Sequence, residues 1–368
     1  MKAILDHIKL SNFKNYAQQE LACSPHLNCL VGRNGMGKTN FLDAIYYLCM
    51  TKSHFSTPDS SLIRHDQDYM RLEGYFQTTQ VETIVAKYQL RKKKVFERNK
   101  VPYDKLSEHI GCLPIVLIAP DDTQLATDGS EVRRKFIDNT LSQIDQSYLN
   151  QLIIYTKLLK QRNALLKKMA EERSWKPQLI AVYTQQMEGP ANYIKEKRQE
   201  FAKLLSPVFQ VMHKYICQGQ EEVQLEYQSN LIETDFASLL KGALQKDRVL
   251  QRTSEGIHKD DLAFKIEGHS LKRFASQGQL KSYILALKLS QFEILRKHKD
   301  FTPILLLDDI FDKLDEGRVT QLLELIIEGN FGQVFITDTH PNRVHNIAKS
   351  FGPEQQQFLV EDGIIKAK

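Results

Sequence analysis

Residues 32–39 read Gly-Arg-Asn-Gly-Met-Gly-Lys-Thr, a G-x-x-x-x-G-K-T string set between an apolar run at Leu27–Val31 and an apolar stretch at Lys38–Met50. Such a string constrains the fold because it works only as a strand, a tight glycine turn and a helix N-terminus, in that order. Glycines let backbone N–H groups fold around phosphate oxygens, and the first turn of the helix adds partial positive charge. Gly32, Arg33, Asn34, Gly35, Met36, Gly37, Lys38, Thr39 and Asn40 are therefore expected to cradle ATP. Lys38 would bridge the β- and γ-phosphates and Thr39 would ligate Mg2+.

A second element lies far downstream. Ile304–Leu307 is a wholly apolar run ended by Asp308 and Asp309, which reads as a buried strand presenting two carboxylates. Asp308 is expected to hold Mg2+ with Thr39, and Asp309 to position the attacking water, so that Lys38, Asp308 and Asp309 carry the catalysis. More than 260 residues separate the two elements. Simple P-loop kinases and GTPases keep them much closer, so a large insertion is expected between them.

Just upstream of the second element, Ala275-Ser276-Gln277-Gly278-Gln279 opens an amphipathic helix, and a Ser and a Gly at a helix N-terminus form a further anion site. The string resembles the signature with which ABC-type ATPases bind the γ-phosphate of a nucleotide held by another subunit, which points to Ser276, Gly278 and Gln279. Lys313-Leu314-Asp315 falls where such ATPases carry their D-loop, which points to Asp315. The usual switch-histidine position after Val334–Thr337 holds Asp338; His340 is the candidate, with a plain surface histidine as the alternative.

Around these elements the chain has a strand-like opening at Ile4–Leu10. Alternating stretches over 69–119, including Ile115–Ala119, suggest an antiparallel sheet beside the parallel one. From Val132 the texture turns helical, with Tyr148, Leu152, Tyr155, Leu159, Leu166 and Met169 in a coiled-coil-like stripe broken by Arg162. A second helical tract, interrupted by Gly189-Pro190, carries Ile194, Phe201, Leu205 and Val208, and two antiparallel helices are expected. Strand patterning returns at Val223–Tyr227 and Leu262–Ile266. The expected organisation is an α/β head of mixed sheet plus antiparallel lobe over 1–129 and 223–368, with an inserted helical arm at 130–222.

Several longer strings sharpen this. Asn12-Phe13-Lys14-Asn15-Tyr16, Pro120-Asp121-Asp122, Gly129 with Val132–Asp138, Leu159–Asn163 and Gly256–Leu262 resemble, across essentially the whole chain, the SMC-like ABC ATPases, and within them the bacterial recombination mediators. Ile257 and Lys259 depart from that family's usual Pro and Arg, Gln277 from the second Gly of transporter signatures, and Asp309 from the common glutamate. The resemblance implies an ABC-type P-loop ATPase head and slow, DNA-stimulated ATP hydrolysis. It also implies an ATP-dependent homodimer clamping duplex or gapped DNA and junctions, and action with RecR and RecO to promote RecA loading. The alternatives are a transporter's ATPase subunit and a short SMC-like tether. A first helix of about 38 residues would span only about 57 Å, which disfavours the tether.

Charge bears on partners only through its distribution. The net charge is +5, but residues 157–203 carry eleven Lys and Arg against five Asp and Glu. Arg91, Lys92, Lys93 and Lys94 are expected either to track a DNA backbone or to form a solvated hairpin tip. Arg133 and Arg134 are expected to contact DNA or to hold head and arm together. No apolar run approaches the roughly 18 residues of a membrane span. With five cysteines, no C-x-x-C pair and no signal-like start, a cytoplasmic protein without membrane partners is expected.

Overall fold

The computed structural model describes residues 2–55, 58–219, 221–311, 316–329, 331–341, 343 and 355–367. Two compact units emerge: Met1–Thr123, Met212–Gly219 and Gln277–Lys368 form one, and Gln124–Val211 with Gln220–Ser276 form the other. The first is discontinuous in sequence and the second interrupts it.

The first unit is built on two six-stranded sheets. One is antiparallel, in the order Tyr16–Ala22, Ile4–Phe13, Tyr69–Gln77, Val81–Gln89, Val95–Arg98, Val101–Pro102. The other runs Ile364–Ala367, Gln355–Glu361, Leu27–Val31, Val334–Asp338, Ile304–Leu307, Ile115–Ile118, parallel throughout except for its first, C-terminal hairpin. The helix Lys38–Met50 contacts strands of both sheets and is buried at every residue from Phe41 to Met50. Apart from Asp43, which pairs with Lys14 at 2.7 Å, that stretch is apolar or aromatic on every side, as suits a helix inside a core rather than on a surface. Gln333 ties the sheets together: its amide exchanges hydrogen bonds with the Leu5 backbone at 2.8 and 2.9 Å and donates to Ser24 O at 2.8 Å.

Ile115–Ile118 does not belong to the antiparallel sheet, where the alternating stretches had placed it. It pairs in parallel with Ile304–Leu307 and is buried at all four residues. A short run apolar on both faces is the mark of a parallel strand covered on both sides. The strands Gln355–Glu361 and Ile364–Ala367 escaped the sequence reading because Gln355-Gln356-Gln357 carries no apolar alternation.

The second unit holds the helices Ser130–Ile144, Gln146–Glu171 and Phe236–Leu250, the larger part of Pro177–Ile216, and a three-stranded antiparallel sheet of His269–Ser270, Asp261–Ile266 and Val223–Gln228. The long first helix is in fact divided at Asp145, whose carboxylate accepts from Ser147 N and Tyr148 N and starts a helix of 26 residues. Conversely, Gly189-Pro190 does not interrupt the next one, which runs 40 residues through Pro190 and Pro207. Its buried stripe of Met187, Ala191, Ile194, Phe201, Leu205 and Phe209 continues past both prolines, so packing holds a helix that propensity alone would break.

Arg162, the apparent flaw in the apolar stripe, is wholly buried beside the equally buried Asp247, with Nη1 donating to Asp247 Oδ2 and to Thr253 Oγ1 at 2.7 Å each. Arg198 is buried likewise, donating to Asp260 Oδ2 at 2.8 Å, to Ile257 O at 2.7 Å and to Asp138 at 2.9 Å. These pairs explain why residues 223–276 group with the helices. Among the described residues, no helix is long and apolar enough to cross a membrane.

Candidate nucleotide-binding site

Leu27–Val31 delivers the chain into the glycine loop, where φ is +80° at Gly35 and +116° at Gly37. Gly37 is the N-cap of the helix Lys38–Met50, which has no capping side chain and no acid in its first turn. The positive end of this helix is left to a ligand, the usual arrangement of an anion site. Lys38 is 3% exposed, and its Nζ donates to Gly32 O at 2.8 Å and Arg33 O at 3.2 Å, with Asp309 Oδ2 at 3.9 Å. Arg33, Asn34 and Gly35 are exposed at the loop's crest, with Met36 half-buried behind them.

Thr39, the next residue, meets the second element. Its hydroxyl lies 2.9 and 3.0 Å from the two carboxylate oxygens of Asp308, at the end of Ile304–Leu307. Thr337 Oγ1 donates to Asp308 Oδ1 at 2.7 Å and accepts from Asp309 N at 2.9 Å, which orients the Asp308 carboxylate and holds the Asp309 backbone from the neighbouring strand. Burial pushes the Asp308 carboxyl above its usual range, against the pull of Thr337, Thr39 and Lys38. A hydroxyl and a carboxylate converging in this way are hard oxygen donors of the kind Mg2+ takes, so the residues present fit that ion.

The sequence reading missed the residues that brace the loop. Asn15 Nδ2 donates to Met36 O at 3.0 Å and Asn15 Oδ1 accepts from Asn40 at 2.7 Å, while Tyr16 OH donates to Gly37 O at 2.9 Å. Gly363 N donates to Met36 O at 3.1 Å from the C-terminal hairpin. Asn15 and Tyr16 stood inside a string quoted for resemblance, yet nothing local marks them as partners of a loop twenty residues on. The bracing leaves no room at Gly37, where a Cβ would fall 2.5 Å from Asn15 Nδ2. Gly37→Ala therefore adds left-handed strain of about 1–3 kcal/mol to a steric clash. Titration with a fluorescent ATP analogue should show at least a several-fold loss of affinity.

The remaining candidates fall into place unevenly. Ser276 is exposed immediately before the helix Gln277–His298, and Gly278 and Gln279 lie in that helix's first turn. Asp315 lies outside the described residues. His340 is exposed, and its N–H donates to Asp338 Oδ1 at 2.8 Å. Arg91, Lys92 and Lys93 are exposed on the hairpin tip between Val81–Gln89 and Val95–Arg98. Lys94 instead turns inward to Thr51 O at 2.7 Å and Asp59 at 2.9 Å. Arg133 grips Asp261 with both arms of its fork at 2.7 and 2.9 Å, and its third nitrogen donates to Leu125 O at 3.0 Å. Arg134 donates to Ser130 Oγ and Asp260 O at 2.6 Å each. Arg133 thus ties the helix Ser130–Ile144 to the strand Asp261–Ile266, and Arg134 ties it to the residue just before that strand, both within the second unit.

Residues 4–360 match the family described as RecF/RecN/SMC N terminal domain. The DNA replication and repair protein RecF of Flavobacterium johnsoniae is 46% identical over 347 residues, covering 94% of this chain and 97% of that protein. The RecF of Parabacteroides distasonis is 45% identical over 364 residues, covering 99% of each. The chain belongs to the RecF family. A solved structure of the recombination mediator RecF with ATP superposes with a TM-score of 0.90 at 28% identity, over 100% of this chain and 98% of that one. A Pyrococcus furiosus Smc head, at TM-score 0.58 and 16% identity over 100% of this chain and 96% of that one, shares the ABC-type head fold. Full-length agreement with RecF proteins sets aside the transporter-subunit and tether readings.

Proposed function

We propose that this RecF-family chain is a recombination-mediator ATPase whose head binds Mg·ATP and joins a second head across it. The observation that carries the reading is the meeting of Thr39 with Asp308 at 2.9 Å, which joins elements more than 260 residues apart into one site. Gly32–Asn40 would wrap the phosphates, with Lys38 releasing the Gly32 and Arg33 carbonyls to reach them. Thr39 and Asp308 would hold Mg2+, which supplies charge neutralisation on the phosphates when bound. Asp309, kept by Thr337 beside the site, would orient the attacking water. A carboxylate one methylene shorter than glutamate makes a poor base at that reach, so hydrolysis is slow and ATP serves chiefly as the ligand of dimerisation.

Ser276, Gly278 and Gln279 would close the site of the other copy, with Asp315 alongside and His340 as a switch. The joined heads would clamp duplex or gapped DNA and junctions, with Arg91, Lys92 and Lys93 as phosphate contacts. RecR and RecO are the proposed partners and RecA loading the outcome, in the cytoplasm where that DNA lies. The RecF names of its relatives and the RecFOR-pathway structure support these assignments.

Turnover per chain tests the shared site. It should rise with protein concentration, and Ser276→Arg should abolish the rise. Turnover independent of dilution and unaffected by that substitution would contradict the proposal.

A further inference from the structure

The segment just ahead of Ser276 forms a tip that the site described above does not use. Glu267 and Gly268, at φ +49° and +75°, make a two-residue hairpin turn that joins Asp261–Ile266 to His269–Ser270. Ile266 pairs with His269 across it, which fixes the backbone that carries the imidazole. A single helical turn, Leu271–Phe274, follows, anchored by Leu271 at 1% exposure and closed by Ala275 N donating to Leu271 O at 3.1 Å. Beyond that anchor nothing is buried. Phe274 is 63% exposed, stacked on His269 at 4.6 Å between centroids and 29° between planes. Lys272 and Arg273 are exposed beside it.

An aromatic ring held in the open on a second ring, flanked by two cations, has the chemistry of a nucleotide-binding surface: a flat face for a base and charge for phosphates. Phe274 stands two residues from Ser276, so their Cα atoms are at most about 7 Å apart. If Ser276 meets the γ-phosphate of a nucleotide in another copy, the side chains of Arg273 and Phe274 come within reach of that same nucleotide.

We infer that His269, Lys272, Arg273 and Phe274 form a clasp acting in trans on the nucleotide held by a second copy of this chain. Phe274 on its His269 support would face the base, and Arg273 with Lys272 the phosphates. The inference rests on the shared-site reading and extends it from the signature serine to the tip that precedes it. All four residues are exposed, so substituting them leaves the core of the unit intact.

The test uses full-length protein with ATP and Mg2+, followed by sedimentation velocity across protein concentration. Phe274→Ala and the double variant Lys272→Ala/Arg273→Ala should each raise the concentration needed for the ATP-dependent dimer by about tenfold, since two clasps are lost per dimer. Mixing separates trans from cis action. A Lys38→Ala chain, with its tip intact, mixed with a Phe274→Ala chain, with its nucleotide site intact, rebuilds one complete composite site. The Lys38→Ala/Phe274→Ala chain mixed with wild type rebuilds none, so the heterodimer, read through one fluorescently labelled chain in each mixture, should form at about threefold lower concentration in the first mixture than in the second, and the order should reverse for a tip acting in cis. Equal behaviour of the two mixtures, or tip variants that dimerise like wild type while Ser276→Arg abolishes the dimer, would overturn the clasp and leave the shared site standing. A wild-type chain that stays monomeric with ATP would overturn both. Loss of single-stranded DNA binding with dimerisation unchanged would assign the tip to nucleic acid and overturn the clasp as well.

Discussion

Lys38→Ala is expected to lower kcat/KM for ATP by at least about 10²–10³-fold, the range found when one preorganised donor to a developing charge is removed. The ammonium is almost wholly buried and satisfied by the Gly32 and Arg33 carbonyls, with Asp309 close by. A triphosphate offers it charged oxygens instead of neutral ones, and charge-assisted bonds are about twice as strong. The exchange favours binding, and favours still more the state in which negative charge builds on the transferred group. Alanine removes the donor and leaves the helix dipole as the main local positive field. Lys38→Arg should fail nearly as badly, because a planar fork does not fit a pocket that encloses one ammonium. Thermal melts separate loss of chemistry from loss of fold, since neither change disturbs the apolar core beneath Phe41.

Arg198→Ala should give the largest loss of stability among single side-chain changes, about 3–5 kcal/mol. The guanidinium is 2% exposed and faces both Asp138 and Asp260, and Tyr148 and Tyr227 donate hydrogen bonds to these same carboxylates. Truncating it strands the buried Asp260 carboxylate and takes a partner from the half-buried Asp138, which costs more than the pairing itself contributed. Trp175 is the chain's one tryptophan and lies in the same unit, stacked under Arg248 at 4.9 Å, so its fluorescence reports on that unit. The urea midpoint read from Trp175 should fall by about 1 M or more, given m values of about 1–3 kcal/mol/M. Arg198→Lys should recover only part of the loss, since one ammonium cannot bridge both acids in the fork's geometry. An unchanged midpoint in Arg198→Ala would mean that the network does not hold the unit together.

These two cases mark what the sequence could and could not show. Lys38 was legible because a glycine loop between a strand and a helix admits few other readings, and Asp308 because an apolar run ending in acids completes it. Arg198 was hidden: its partners lie about 60 residues away on either side, and a charged residue in a helical tract looks the same whether it faces water or another charge. Arg162 looked like a defect in an apolar stripe, although Asp247 makes it part of the core. Ile115–Ile118 shows the complementary limit, because four apolar residues do not say which sheet they join. The loop braces from Asn15 and Tyr16 were out of reach for the same reason, being contacts between distant segments without a local pattern.

The central claim is that nucleotide in the Gly32–Asn40 cradle joins two heads. Sedimentation velocity of the full-length chain, with and without Mg·ATP and alongside Lys38→Ala, tests it most directly. The expected result is a monomer without nucleotide, a dimer with it, and a monomer in both conditions for Lys38→Ala. A wild-type chain whose mass is the same with and without Mg·ATP, at nucleotide concentrations that saturate the site, would contradict the account.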